Sequence, residues 1–473
     1  MASARTPRTR LDATAYDVVI FGGGSAGIAA AEGAAAAGAQ KIAIIEEDRL
    51  GGECPWWSCV PSKAGLKSVK VFRDLQLHAG RFGIRSRGIT ADFGAIAARR
   101  DAVVHLLTGS GKRLPALVKS LGVRVVSGRG HFLEEYEAVA HGTKLQAQAF
   151  VIATGSEEVL PPIAGLETVP YWTHRDIARL QTLPRSLVII GAGPVGVEYA
   201  TYFSGLGVPV TILQRSDRIL SRADEELALL ASEELRKRGV RIITKSTVLS
   251  AVADGRTINL TYQVGRKPRQ MLATDHVLVA AGRRPSVNGL GLDRLGLSLE
   301  DIYTGQALDD FQRSKAKHVF FAGDAAGGLQ FTHVAHRGGW IAGWNAANVS
   351  KPRRLRKIDH SITPGVTFCD PEFASVGITA EQAVLKKKKI KVFKASVASL
   401  GRALTDGATT GMCKIIVDAK SDLILGGHML GERAGEVMHE VALAMRFGIT
   451  MSELQDVTRA YPTYSEILSI VRE

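Results

Sequence analysis

Cysteine is scarce, with four residues in a chain of 473. So few thiols exclude a disulfide-built scaffold and point to a reducing cytoplasm, where a close pair is more often catalytic than structural. Long apolar runs are also lacking. The strongest candidate, Val18 to Ala39, is interrupted by Glu32 and several glycines, so no membrane span is predicted. No signal peptide is predicted either. The basic, acid-free opening MASARTPRTR leaves too little room before a strand pattern at Tyr16 and reads as a frayed tail. Acids are in the minority, 46 against 60 Lys and Arg, for a net charge of +14. That balance draws in anionic ligands such as nucleotides. The basic clusters, Arg353, Arg354, Arg356 and Lys357 and then Lys386 to Lys389, have no interleaved aromatics, so they read as a solvated surface and no specific nucleic-acid partner is expected.

Glycine, by contrast, is abundant at 50 residues, which favours an α/β protein of several domains with many tight strand-to-helix turns. Asp17 to Phe21 is a compact apolar run ending in GGGSAG, followed by an alanine-rich helix pattern and a second strand, KIAIIEE. Gly22, Gly24 and Gly27 stand there in G-x-G-x-x-G spacing. The unit recurs at SLVIIGAGPVGVEYATYFSGLGVPVTILQR with Gly191, Gly193 and Gly196. Such glycines let the backbone approach a pyrophosphate and aim a helix N-terminus at it, so two units mean two dinucleotides. The first unit ends in Glu46, a carboxylate suited to ribose hydroxyls. In the second, Gln214 replaces the acid and Arg215 follows, a combination that suits a 2'-phosphate and favours NADPH over NADH. The strand patterns AFVIATG and HVLVAAG end at Gly155 and Gly282, and VFFAGDAAG carries Asp324 into a further glycine turn. From about Lys357 the pattern becomes that of a separate α+β domain.

Two of the four cysteines, Cys54 and Cys59, lie five positions apart in GGECPWWSCVPSK. A regular helix would hold their Cα atoms about 8.6 Å apart, whereas a disulfide needs less than about 7 Å. The segment must therefore leave helical geometry for them to bond, and Pro55 disfavours helix at Cys54. A helical pattern from Ser62 and Lys63 onward places Cys59 near a helix N-terminus and beside a cation, both of which lower a thiol pKa.

That stretch resembles the redox signature G-G-x-C-x-x-x-x-C-x-P-x-K of the pyridine nucleotide-disulfide oxidoreductases, flavoproteins of the dihydrolipoamide dehydrogenase, glutathione reductase and mercuric reductase type. GGGSAG, IATGS, GAGPVGVE, AAGRRP, AGDAAG, FCDPEFASVG and AYPTYSE follow in the family's order. The resemblance implies two Rossmann-like dinucleotide-binding domains plus an α+β C-terminal dimerisation domain. The boundaries are 1–157 for FAD, 158–282 for NAD(P)H, 283–356 completing the FAD domain, and 357–473 for the interface of a homodimer. It further implies FAD on Gly22, Gly24, Gly27 and Glu46, with Gly155 close by and Asp324 on the ribityl chain. Cys59 would face the flavin and Cys54 would meet the substrate. Lys63 and Glu198 would pair beside flavin N5, and Tyr461 and Glu466 would serve the partner subunit's site.

One departure bears on the substrate. Disulfide-reducing members end in H-P-T-x-x-E, but this chain reads Tyr461-Pro462-Thr463-Tyr464-Ser465-Glu466. A phenol is about one part in a thousand ionised at pH 7, and losing a general base removes about 10² to 10⁴ in rate. Mercuric reductases resemble this chain in that tyrosine, although they carry a C-terminal vicinal cysteine pair and this sequence has no cysteine after Cys413. The expected enzyme oxidises NADPH through FAD and the Cys54–Cys59 disulfide and delivers electrons to a small acceptor, a soft metal or another oxidant. The alternatives are a dihydrolipoyl dehydrogenase-like enzyme, a direct flavin quinone reductase in which Trp56 and Trp57 offer a platform, and a redox-sensing flavoprotein.

Overall fold

The computed structural model describes residues 15–473, so the basic opening segment lies outside the described residues. The chain divides into two compact units, each assembled from separated stretches. The first takes residues up to Cys59 together with Val104–Glu157 and Arg283–His360; the second takes Val60–Val103, Glu158–Gly282 and Ser361–Glu473.

In the first unit a parallel sheet runs in the order Arg124–Ser127, Ile42–Glu46, Tyr16–Phe21, Thr143–Ile152 and Val319–Phe321. The runs Val18–Phe21, Ile42–Ile45 and Ala149–Ile152 within its central strands are continuously apolar rather than alternating, because both faces are covered there; Val18, Val19, Ile20, Ala149, Phe150 and Val151 are all fully buried. Two further strands extend the sheet as an antiparallel meander: Glu137–Ala140 pairs with Thr143–Ile152, and Gly130–Glu134 pairs with Glu137–Ala140. One face is covered by the alanine-rich helix Ser25–Ala36, which packs on the helix Thr332–Ala347. The helices approach so closely that a Cβ on Gly339 or Gly343 would overlap the carbonyl oxygens of Ala26 and Ala30. Alanine and glycine are what that separation permits.

The second unit holds another parallel sheet, in the order Arg241–Ile243, Val210–Leu213, Leu187–Ile190, His276–Val279 and Tyr171–Trp172. It also holds a five-stranded antiparallel sheet, Gly365–Thr367, Glu372–Gly377, Ile424–Gly431, Met412–Asp418 and Ile390–Ser396. The amphipathic helix Ala434–Phe447 buries Val437, Met438, Val441 and Ala444 against this sheet. Its opposite face leaves Leu443 and Phe447 exposed. This is the mixed α/β architecture that the two glycine units and the changed C-terminal pattern imply.

Three local expectations are corrected. Cys54 does lie in helix, in the four-residue turn Glu53–Trp56. Pro55 is tolerated because the first-turn N–H groups of a helix have no intrahelical partner to lose. The following helix begins at Cys59 itself, not at Ser62. And the cluster around Arg356 is aromatic after all: its guanidinium lies 3.9 Å from the Trp344 ring centroid and 4.8 Å from that of Trp340. The two tryptophans come from the preceding helix, Thr332–Ala347, and do not interleave with the basic cluster in sequence.

Candidate active site

Strand Tyr16–Phe21 turns at Gly22 into helix Ser25–Ala36. Gly22 has φ +93°, and a Cβ there would overlap the carbonyl oxygen of Ala153; one on Gly27 would overlap Gly22. These two glycines are therefore required by packing. Gly24 is different, since the nearest atom to its Cβ would be the Cα of Gly52 at 3.7 Å. Among the described residues no side chain caps the helix N-terminus that Gly24 opens. The second unit repeats this division of labour. Gly191 (φ +103°) would overlap Ala280 and Gly196 would overlap Gly191, whereas Gly193 has nothing within 4 Å. In both units the middle glycine faces the space a pyrophosphate requires.

The strand that follows each glycine turn braces it. Glu46 Oε2 accepts from Gly23 N at 2.6 Å and Oε1 from Asp48 N at 2.8 Å. Each oxygen keeps a lone pair for a ribose hydroxyl. Burial pushes this carboxyl above its ordinary pKa, against the pull of those two N–H groups. Gln214 occupies the corresponding place, its Oε1 accepting from Ala192 N at 3.0 Å, and Arg215 beyond it is exposed. Asp324 is held by Ser156, whose hydroxyl donates to Oδ2 at 2.6 Å, and Ser156 in turn accepts from Arg283 Nε at 2.8 Å. Burial raises the Asp324 pKa, opposed by Ser156 and Arg283. Gly155 (φ +75°) and Gly282 (φ +133°) each face open space at the ends of their strands.

Two residues were missed by sequence reasoning. Thr154 Oγ1 is buried and, among the described residues, has no hydrogen-bond partner. Thr154 adjoins Gly22, whose Cβ would lie 3.1 Å from its Cα, so the orphaned hydroxyl sits beside the first glycine turn and fits a dinucleotide there. The IATGS motif contains it and could have flagged it. Thr332 is the other, its Oγ1 3.2 Å from Cys59 Sγ, with either atom able to donate. They are 273 residues apart, and no local signal links them.

Cys54 and Cys59 lie half-buried on either side of a break in helical geometry at Trp57, where φ is −128°. The remaining cysteines, Cys369 and Cys413, are buried, and burial pushes both thiols up to about 12, which makes them inert at neutral pH. In the second unit Lys63 Nζ lies 2.7 Å from Glu198 Oε2, and Glu198 Oε1 accepts from Phe368 N at 3.0 Å. Tyr461 is 76% exposed. Glu466 Oε2 accepts from Thr463 N at 3.0 Å, closing a capping box within the same motif. Among the described residues no three His, Cys, Asp or Glu side chains gather as a metal site, and no helix is long and apolar enough to cross a membrane.

Comparisons with known proteins identify the family. Residues 16–339 match the family model of pyridine nucleotide-disulphide oxidoreductases, and residues 363–471 match that family's dimerisation domain. Mercuric reductase from Staphylococcus aureus is 31% identical over 96% of this chain and 81% of its own length. Dihydrolipoyl dehydrogenase from Bacillus subtilis is 31% identical over 96% of this chain and 97% of its own. Among solved structures, the Cu(II) complex of the HOCl-induced flavoprotein disulfide reductase RclA from Escherichia coli superposes with a TM-score of 0.82. It is 28% identical and covers 97% of this chain and all of that one. The chain belongs to the pyridine nucleotide-disulphide oxidoreductase family, FAD-dependent enzymes that bind a pyridine nucleotide, work through a redox disulfide and carry a dimerisation domain.

Proposed function

We propose that the chain oxidises NADPH and sends the electron pair to a Cys54–Cys59 disulfide, then to a soft metal ion or another oxidant in preference to lipoamide. Bound FAD supplies the two-electron carrier between nicotinamide and sulfur. The net step balances: the hydride of NADPH and one proton break one S–S bond and leave two thiols and NADP⁺. The observation that carries the reading is the interrupted helix with a cysteine on each side, Cys59 opening a 15-residue helix. A helix N-terminus favours a thiolate, and the Thr332 hydroxyl, 3.2 Å from Cys59 Sγ, is able to donate to one. In this reading Cys54 meets the acceptor, and Lys63 and Glu198 hold a fixed charge pair at the flavin N5 edge. Asp324 orients the ribityl chain, and Tyr461 and Glu466 complete the site of the partner subunit in a homodimer. The four-segment division at 157, 282 and 356 assigns the cofactors to their domains.

NADPH is favoured by the neutral Gln214 brace, which leaves no carboxylate to repel a 2'-phosphate, and by exposed Arg215. The acceptor is argued from Tyr461, a phenol where a proton-carrying imidazole would serve a thiol substrate. Relatives named for mercuric reduction support a soft-metal acceptor, and a structural neighbour solved with Cu(II) supports a metal ion more generally.

Two measurements test this. Thiol titration of denatured protein before and after anaerobic NADPH addition should reveal two new thiols, lost in Cys59→Ser. A kcat/KM panel with Hg²⁺, Cu²⁺, lipoamide, glutathione disulfide and a quinone should rank a metal ion above lipoamide by about 10² or more. No gain of thiols would refute the electron path, and efficient lipoamide turnover would refute the acceptor.

A further inference from the structure

The two tryptophans between the cysteines have no place in the scheme so far. They gather around one cation. Arg49 Cζ lies 4.9 Å from the Trp56 ring centroid and 5.0 Å from that of Trp57, both within cation–π range. Trp56 is also tied down through its Nε1, which donates to Leu50 O at 3.0 Å. The competing partner of Arg49 is weak, Asp48 Oδ1 at 3.4 Å with both side chains nearly half exposed.

Trp57 is the residue at which helical geometry stops. Its own N–H and that of Ser58 both end on Glu53 O, at 2.8 and 2.9 Å, closing the short helix before the next begins at Cys59. A chain that ran straight through this point as one helix from Glu53 to Arg73 would hold the two Cα atoms about 8.6 Å apart, too far for a disulfide. The break is thus a geometric condition for the oxidised form, and Arg49 holds the side chain at the break.

We infer that Arg49, through Trp56 and Trp57, is a positioning residue that stabilises the Cys54–Cys59 disulfide by holding the segment between the cysteines in its broken-helix form. This rests on the disulfide reading above. Without the cation the dithiol gains access to straighter conformations that the disulfide cannot adopt, so the disulfide becomes easier to reduce. The test equilibrates FAD-loaded protein in glutathione buffers, where two glutathione thiols surrender two electrons and two protons to the S–S bond and form one glutathione disulfide. Alkylation and mass analysis of the Cys54 and Cys59 peptides then give the oxidised fraction.

Arg49→Met, which keeps the length and loses the charge, should lower the disulfide's equilibrium constant about tenfold, equivalent to about 30 mV upward in potential. Arg49→Lys should recover most of that change, and Trp57→Leu should reproduce it if Met at position 49 disturbs folding. An Arg49→Met constant within twofold of the parent, or a disulfide made harder to reduce, overturns the inference. If the parent protein forms no Cys54–Cys59 disulfide in any buffer, the functional reading itself falls, an outcome distinct from parent and variant titrating alike.

Discussion

The pair Lys63–Glu198 offers the sharpest test of the site's energetics. Its Nζ–Oε2 separation of 2.7 Å gives a gross attraction of about 6 kcal/mol at an effective dielectric near 20, most of which is spent on desolvation. The two ends are unequally buried. The Glu198 side chain is 9% exposed and that of Lys63 32%. Lys63→Met therefore strands a buried carboxylate whose remaining support is Phe368 N, and should destabilise by about 2–4 kcal/mol. Glu198→Gln leaves an ammonium that is a third exposed and can turn to water, while the amide oxygen still accepts from Phe368 N; about 1–2 kcal/mol is expected. The double variant should be less destabilised than the sum of the singles by about 1–3 kcal/mol. Urea unfolding of the FAD-loaded protein, followed by tryptophan emission, measures all four corners of the cycle. Repeating it in 1 M salt should change the coupling little, because a buried pair is poorly screened. A coupling below about 0.5 kcal/mol, or Glu198→Gln costing more than Lys63→Met, would refute the reasoning.

Other expectations follow from single positions. Gly191→Ala meets the Ala280 carbonyl at a positive φ and should destabilise by about 2 kcal/mol or more, whereas Gly193→Ala, with open space around it, should unfold as the parent does and raise KM for NADPH about tenfold. Arg215→Ala should lower kcat/KM for NADPH about 10- to 100-fold and leave NADH within twofold, the loss expected for one charged hydrogen bond. Glu372 bears on pH. Burial, reinforced by Glu436 and Glu432, pushes its carboxyl up to about 7 from an ordinary 4.5. Because the folded value is the higher one, its contribution to stability is full below about 4.5 and drains away as pH rises through about 7. Glu372→Gln cannot ionise, so its stability relative to the parent should rise by about 1–3 kcal/mol between pH 5 and pH 8, allowing for partial exposure. A flat difference across that range would contradict the raised value.

Where the chain's periodicity and its turn chemistry speak together, the sequence was enough. The glycine units were legible because Gly22, Gly27, Gly191 and Gly196 are required by backbone contacts that nothing larger fits, and Gln214 because it ends a strand in the same register as Glu46. The rest was hidden for reasons of tertiary structure. Thr332 reaches Cys59 across 273 residues. The cluster at Arg356 draws its tryptophans from the helix just before it, where the chain turns back on itself. Arg49 is only seven and eight residues from Trp56 and Trp57, yet a glycine pair and a helical turn intervene, and no propensity predicts that the chain doubles back there. The short helix around Pro55 was misjudged because the rule for the residue before proline weakens in a helix's first turn.

The two glycine units also say something about charge that neither says alone. Glu46 and Gln214 brace their turns in the same way, one oxygen of each accepting from the residue after the first glycine. Gln214 does this without charge, so the brace needs only a carbonyl oxygen. The negative charge on Glu46 is then not needed for that contact, its second oxygen holding only the exposed Asp48 N, and burial works against it, as the raised pKa records. A buried charge that packing does not need calls for a compensating donor, and two ribose hydroxyls on the lone pairs left open would supply it. Glu46→Gln separates the two roles. It should keep the contact with Gly23 N, lose the one with Asp48 N and so cost the cofactor-free protein only about 1 kcal/mol, while FAD dissociates about 10 to 100 times more readily, the loss of one to two charged hydrogen bonds. Equal FAD retention in the variant would mean that the carboxylate serves the fold after all.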